Sequence, residues 1–192
     1  MADDFATRFG PAWQPPSRRL FTRRRVFVWG GLLFSLLGSV AIVVLVHKRA
    51  LEELWPLVVV AAKRHDLDPD LVAAIVEAES SGNPTAASRA QAYGLMQVRV
   101  PTARDMAGRD VTVDELFDPV FNLEVGCRYF RLMRDRYKGD VRLALMAYNA
   151  GPGRVDAWLA AEPDPARVLR NVAFGETRAY VLKVLDLTME RK

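Results

Sequence analysis

One cysteine and two histidines are all that this 192-residue sequence carries of either type. Cys127 has no internal partner, so a disulfide framework is excluded and a folded domain must be held by its core. The thiol itself reads as a small packed apolar residue. His47 and His65 stand apart, one after a long apolar run and one near a helix end. Neither a zinc-ligand pattern nor a His-dependent catalytic triad is available, and no cofactor or metal is expected. Strand signals are also missing: no run alternates like a half-exposed strand, and no period repeats. What remains is a mostly α chain.

Basic charge is present but unevenly placed. The chain has 27 Lys and Arg against 23 acids and a pI near 9.5. Eight of those basic residues and only two acids fall in 1–49, leaving 19 against 21 in the rest. The basicity therefore belongs to the N-terminal segment, nucleic-acid binding by the folded part loses its main support, and no nucleic-acid partner is expected. Residues 26–46 read VFVWGGLLFSLLGSVAIVVLV, 21 residues without a charge, enough for one membrane-spanning helix. Arg8, Arg18, Arg19, Arg23, Arg24 and Arg25 precede the run, whereas Lys48 and Arg49 follow it. That bias puts the N-terminus in the cytoplasm and the rest outside. The run exceeds a signal-peptide core, and Val44-Leu45-Val46-His47 is no small-residue cleavage site. Ser17-Arg18-Arg19-Leu20-Phe21 resembles a twin-arginine export signal, a match that an Arg-rich flank produces easily. The expected organisation is a cytoplasmic basic arm over 1–25, a transmembrane anchor over 26–46, a short linker over 47–54 and a folded domain over 55–188.

Within that domain the spacing predicts helices over 57–65, from Pro69 to about Ser80, from Thr102 to Ala107, over 120–137, 141–149 and 155–160, and over 176–189. The second of these is the most informative. Asp68 suits its N-cap and Pro69 its first position. Leu71, Val72, Ile75 and Val76 define an inward face, and Glu79 continues that stripe four residues beyond Ile75. Glu77 falls on the other side with Asp70 and Ala73, towards water. A carboxyl aimed at an apolar interior is held protonated, which is what a general acid needs. Taken alone, Glu79 reads first as a half-buried residue at a frayed helix end, and the motifs elsewhere in the chain reverse that. On the next long helix Phe121, Val125, Tyr129 and Leu132 form one stripe, and Gly151-Pro152-Gly153 stops the helix after it.

Further motifs stand beside Glu79-Ser80. They are Ser88, Gly94-Leu95-Met96-Gln97, Asp118-Pro119 with Asn122 and Gly126, Ala147-Tyr148-Asn149-Ala150-Gly151, and Glu176-Thr177-Arg178-Ala179-Tyr180-Val181. In this order and spacing they resemble the soluble lytic transglycosylase family, over about residues 55–188. The resemblance implies a mostly α, lysozyme-like (goose-type) domain with a substrate cleft, here preceded by one transmembrane helix. It implies cleavage of peptidoglycan glycan strands between N-acetylmuramic acid and N-acetylglucosamine. It also accounts for an absence, since ordinary glycosidases use two carboxylates as acid and as nucleophile or base, and no second one in that role is evident in these motifs. In the family a single glutamate acts first as acid and then as base, and Glu79 takes that place. It would protonate the glycosidic oxygen, then take the proton of the muramyl C6 hydroxyl as that oxygen closes a 1,6-anhydro ring.

The same resemblance gives Ser88 the placement of the muramyl N-acetyl group and Gln97 the orientation of sugar amides or hydroxyls. Met96 becomes an apolar wall beside Gln97. Tyr148 would bond near Glu79 or the N-acetyl group, Asn149 would fix the sugar or the loop, and Tyr180 would add an aromatic wall. Two departures stand out: Gln91-Ala92-Tyr93 replaces the usual Gly-Ala before Gly94, and Ser81-Gly82-Asn83-Pro84 lacks the usual aromatic. The first puts substrate preference in doubt through a repositioned loop or a narrower cleft. Two other functions stay open, a muramidase of the same fold and a non-catalytic wall-binding subunit of an envelope-spanning complex. The expected location is the bacterial inner membrane, single-pass, with the catalytic domain periplasmic.

Overall fold

Six consecutive residues, Leu71 to Val76, are buried in one helix, so this element sits at the centre of the domain rather than on its surface. The computed structural model describes residues 49, 51–172 and 175–192, the side chains of 171 and 172 excepted. The arm over 1–25 and the apolar run over 26–46 lie outside the described residues, as do the cleavage and export motifs read there. Among the described residues no helix is long and apolar enough to cross a membrane.

The first described helix, α1, covers 51–64. It begins six residues before the predicted start and takes in the end of the stretch read as a linker. Leu51 and Leu54 pack against the core and Val58 is buried, extending the apolar stripe backwards. The central helix, α2, is Pro69–Ser80, and its start follows the sequence signals: Asp68 accepts from the Asp70 N–H at 3.0 Å, with Pro69 in the first turn.

A loop then leads into a small hairpin that sequence patterning does not predict. Strands β1 (Ala92–Tyr93) and β2 (Val98–Arg99) pair antiparallel, Ala92 opposite Arg99 and Tyr93 opposite Val98. Two-residue strands are too short to show alternation, so the absence of that signal was uninformative here. Helix α3 (Val100–Ala107) and a 3₁₀ turn (Asp114–Phe117) precede the long helix α4 (Pro119–Arg136). Asp118 caps α4 by accepting from the Phe121 N–H at 2.7 Å.

The buried face of α4 differs from the predicted stripe. Leu132 is 49% exposed, whereas Asn122, Leu123, Gly126, Cys127, Phe130 and Met133 are buried with Val125. Phe121 and Tyr129 lie at its edge. The buried stripe lies about one residue on from the apolar pattern because Asn122 and Gly126, which are not apolar side chains, occupy the centre of the contact.

Helix α5 (Val141–Ala150) is capped by Asp140, which accepts from the Arg142 N–H at 2.9 Å. Gly151 ends α5, yet α6 (Pro152–Ala161) starts at the next residue, since Pro152 suits a first turn. A short α7 (Pro165–Arg167) runs into a π-helical turn (Val168–Val172), and α8 (Gly175–Glu190) closes the described chain. Helix α8 packs along α2, and α5 packs against α4, α6 and α8. The ends of α2 and α5, the start of α8 and the hairpin therefore meet in one place.

Candidate active site

Glu79 lies in the last turn of α2, where the helix carbonyls point outward and disfavour a negative charge. Its carboxyl is largely buried, and that burial pushes its pKa up to about 7. Tyr180 and the ammonium of Lys183, both on α8, oppose the shift without cancelling it. The expectation of an acid aimed into an apolar interior is met. Glu77 differs from its reading as a water-facing residue: it is half-buried and paired with Arg191 at 2.7 Å.

Ser80 fixes the end of α2 to the hairpin loop. Its Oγ lies 2.8 Å from the Leu95 carbonyl oxygen and 3.1 Å from that of Val76. One hydroxyl proton is shared between these two acceptors. The loop itself is held from below by Asn122, which is fully buried on α4. Its Oδ1 accepts from the Met96 N–H at 2.8 Å, and its Nδ2 donates to the carbonyls of Tyr93 and Leu116 at 2.9 and 2.8 Å. Gly94 makes that approach possible. It has φ +76, and a Cβ there would stand 2.2 Å from both Asn122 Nδ2 and the Leu116 carbonyl oxygen.

A groove of about 490 Å³ opens between the hairpin, the end of α5 and the start of α8. Five of the seven residues expected at a site line it: Glu79, Ser88, Gln97, Tyr148 and Asn149. Met96 does not. Its side chain is fully buried, with Sδ 3.9 Å from the Cys127 Sγ and pressed over Gly126. It lies behind the groove rather than in its wall, because the left-handed backbone at Gln97 (φ 48) turns the two neighbouring side chains apart. The hydroxyl of Tyr180 is buried and makes no hydrogen bond of ordinary geometry, yet it lies near enough to Glu79 to favour the charged carboxyl.

Each lining side chain is fixed by its own contacts. Tyr148 donates its hydroxyl proton to the Met96 carbonyl at 2.8 Å, and its ring packs on Tyr129 and Phe130 with centroids 5.4 and 6.0 Å apart. Burial and the neighbouring Glu79 hold the Tyr148 phenol well above its ordinary pKa, so it stays neutral. Gln97 donates through Nε2 to the carbonyls of Ala86 and Gly94 at 3.2 and 3.0 Å. Two carbonyl partners fix which end is nitrogen and commit the donors to the loop, so Oε1 is the end left for other contacts. Ser88 Oγ accepts from the Ala92 N–H at 3.2 Å, and Asn149 Oδ1 accepts from Thr177 at 2.8 Å.

The departures at Gln91 and Tyr93 do not reach the groove, since neither residue lines it. Tyr93 instead packs edge-on against Phe117 with centroids 5.8 Å apart. Several lining residues were not singled out as site residues from sequence, among them Tyr129, Glu176 and Arg99. Tyr129 was readable only as core because its ring continues an apolar stripe. Glu176 was visible only as part of a motif.

The model of the Transglycosylase SLT domain matches residues 56–169. The chain belongs to this family. The SLT match runs from within α1 through α7, takes in the whole hairpin and stops short of α8. Among relatives, the "Transglycosylase" of Enterobacteria phage PRD1 is 36% identical over 118 residues, 62% of this chain and 42% of the phage protein. The "Soluble lytic murein transglycosylase" of Escherichia coli K12 is 35% identical over 121 residues, 58% of this chain and 19% of its own length. The "Membrane-bound lytic murein transglycosylase C" of Yersinia enterocolitica is 32% identical over 160 residues, covering 67% and 44%. The chain thus spans less than half the length of these SLT relatives.

Among solved structures, the 70 kDa soluble lytic transglycosylase of Escherichia coli is 28% identical with a TM-score of 0.65, covering 69% of this chain and 23% of that one. Lytic transglycosylase Slt of Pseudomonas aeruginosa, solved as an inactive glutamate-to-glutamine mutant, is 32% identical with a TM-score of 0.63 over 68% and 22%. The mostly helical, lysozyme-like SLT fold expected from the motifs is the fold observed.

Proposed function

We propose that this groove cleaves the β-1,4 bond between N-acetylmuramic acid and N-acetylglucosamine in peptidoglycan, with Glu79 as general acid and then general base. The observation that carries the reading is the Glu79 carboxyl, buried in the groove wall with its pKa raised to about 7. A carboxyl poised there is protonated often enough to donate to the glycosidic oxygen, and its conjugate base is strong enough to accept a proton afterwards. The muramyl C6 hydroxyl is the acceptor's partner: its O–H proton passes to Glu79 while its oxygen bonds to C1. The product is a 1,6-anhydro ring, no water is consumed, and the step gains from being intramolecular. Ser88 and Asn149 would contact the N-acetyl and hydroxyl groups of the sugar, and Gln97 would accept through Oε1. Tyr148 and Tyr180 would back the Glu79 carboxyl. Met96 would act only through its backbone, holding Tyr148.

The domain would work outside the cytoplasm, tethered to the inner membrane by the apolar run over 26–46, with 1–25 inside and 55–188 in the periplasm. Incubation of the full chain in detergent with purified peptidoglycan, followed by mass spectrometry, tests the reaction. Anhydromuramyl products support it. Products heavier by one water overturn it in favour of a muramidase.

One observation favours that second reading enough to need its own test. Glu176 at the start of α8 lines the same groove, so a second carboxylate is present to activate a water. If closure is intramolecular, Glu176→Gln should keep turnover within about tenfold of wild type. If Glu176 activates water as a general base, the loss should be about 10²-fold or more.

A further inference from the structure

Helix α8 and Arg191, the residue just after it, hold three successive residues at the end of α2. Arg191 pairs with Glu77 at 2.7 Å, Lys183 donates from Nζ to the Ala78 carbonyl at 3.3 Å, and Tyr180 stands against Glu79. The carbonyls of this last turn need partners from outside the helix. The Ser81 N–H takes that of Glu77 at 3.1 Å, and Lys183 takes that of Ala78. A cation at this end also complements the helix dipole.

We propose that Lys183 is a positioning residue for Glu79, clasping the C-terminal end of α2 at Ala78 and keeping a positive charge beside the carboxyl through both halves of the catalytic cycle. The inference rests on the reading of Glu79 as acid and then base. A single carboxyl in that double role has conflicting needs: burial favours the acid form, but the ion left after proton donation must survive until the second proton arrives. Lys183 supplies attraction for that ion without a direct ion pair that would hold it permanently deprotonated. Its exposure makes the attraction moderate and sensitive to salt.

The other groups around Glu79 do not supply this. Tyr148 on α5 and Tyr180 on α8 are buried phenols held well above their ordinary pKa, and so are neutral. Tyr129 on α4 lines the groove and its pKa is also raised. Arg99 on β2 and Glu176 on α8 line the same groove with opposite charges. Among the described residues, Lys183 is the cation whose charge acts on the Glu79 carboxyl.

The test uses the full chain in detergent, with two readouts: the pH–rate profile on purified peptidoglycan, and the NMR titration of the Glu79 carboxyl carbon. Lys183→Met removes attraction for the carboxylate, so the protonated acid persists to higher pH. Both the alkaline limb of the rate profile and the NMR midpoint should rise by roughly 0.5 pH unit. Lys183→Arg should restore wild-type values, and Arg191→Met, which releases the neighbouring clasp alone, should leave both unchanged. Added salt should move wild type towards Lys183→Met. Coincident wild-type and Lys183→Met titrations would overturn the proposal, as would an equal shift in Arg191→Met. A salt-insensitive wild-type midpoint would overturn it even if Lys183→Met does not fold. Wild type without turnover, but with the expected NMR shifts, would sink the acid–base reading and leave the electrostatic role of Lys183 standing.

Discussion

Glu79→Gln should reduce release of soluble muropeptides from purified peptidoglycan by about 10³-fold or more, while pelleting of the protein with the wall is retained. One general acid or base is worth roughly 10²–10⁴ in rate, and Glu79 would serve in both capacities. Glutamine keeps the shape but can neither give nor take the proton. The neighbouring groups cannot replace it. Tyr148 and Tyr180 are held well above the ordinary phenol pKa, so neither ionises in the working range. Glutamine-variant turnover within tenfold of wild type would refute the assignment. Lost turnover with lost wall binding would indicate that the substitution disturbed the groove itself.

The same substitution should stabilise the protein, in a pH-dependent way. Folding raises the Glu79 pKa from 4.5 to about 7, so the folded state binds more protons than the unfolded chain between those values. Stability from this group is therefore full below the unfolded pKa and falls as pH rises through the folded one. Above pH 7 the buried carboxylate costs on the order of 3 kcal/mol. Glu79→Gln removes that cost, so its Tm should exceed wild type at pH 8 and match it near pH 4. A Tm difference of the same size at both pH values would mean that packing, not ionisation, sets the effect. Catalytic poise and stability are opposed at this one position.

Much of this arrangement was legible in the chain because it rests on local signals. Asp68-Pro69 marks the start of α2, and its apolar spacing carries Glu79 inward, as found. Motif order brought Ser88, Gln97, Tyr148 and Asn149 to one groove. What was not legible depends on contacts distant in sequence. Met96 and Gln97 are adjacent, yet one is buried in the core and the other lines the groove, across a positive φ at Gln97 that has no local signature. Glu77 reads as solvent-facing on a helical wheel, and its pairing with Arg191, 114 residues away, has no local trace. Lys183 likewise looks like a surface lysine until α8 is laid along α2. Asn122 was visible only as a motif letter, since a polar residue in a helix usually means the exposed side.

Asn122 is where the second large effect is expected. Asn122→Leu keeps the branched skeleton but replaces each polar atom with a bulkier methyl group, so lost hydrogen bonding and crowding act together. It would leave the Met96 N–H and the Tyr93 and Leu116 carbonyls without the partner each has now. Each buried unpaired group costs about 1–3 kcal/mol, so the three together cost on the order of 3–9 kcal/mol where no water enters. Urea unfolding should show a lower midpoint with an unchanged slope. Asn122→Asp separates the contacts, since it keeps an acceptor for the Met96 N–H but loses both donors and buries a carboxyl. It should be destabilised more at pH 8 than at pH 4, because the neutral acid can still donate to one of the two carbonyls. The functional consequence runs through Met96, whose carbonyl accepts the Tyr148 proton. Any folded fraction of Asn122→Leu should therefore lose kcat more than substrate affinity, since the loop behind Tyr148 moves while the groove-facing Ser88 and Asn149 keep their own anchors. Wild-type kcat in a folded Asn122→Leu would show that the loop holds its place without α4.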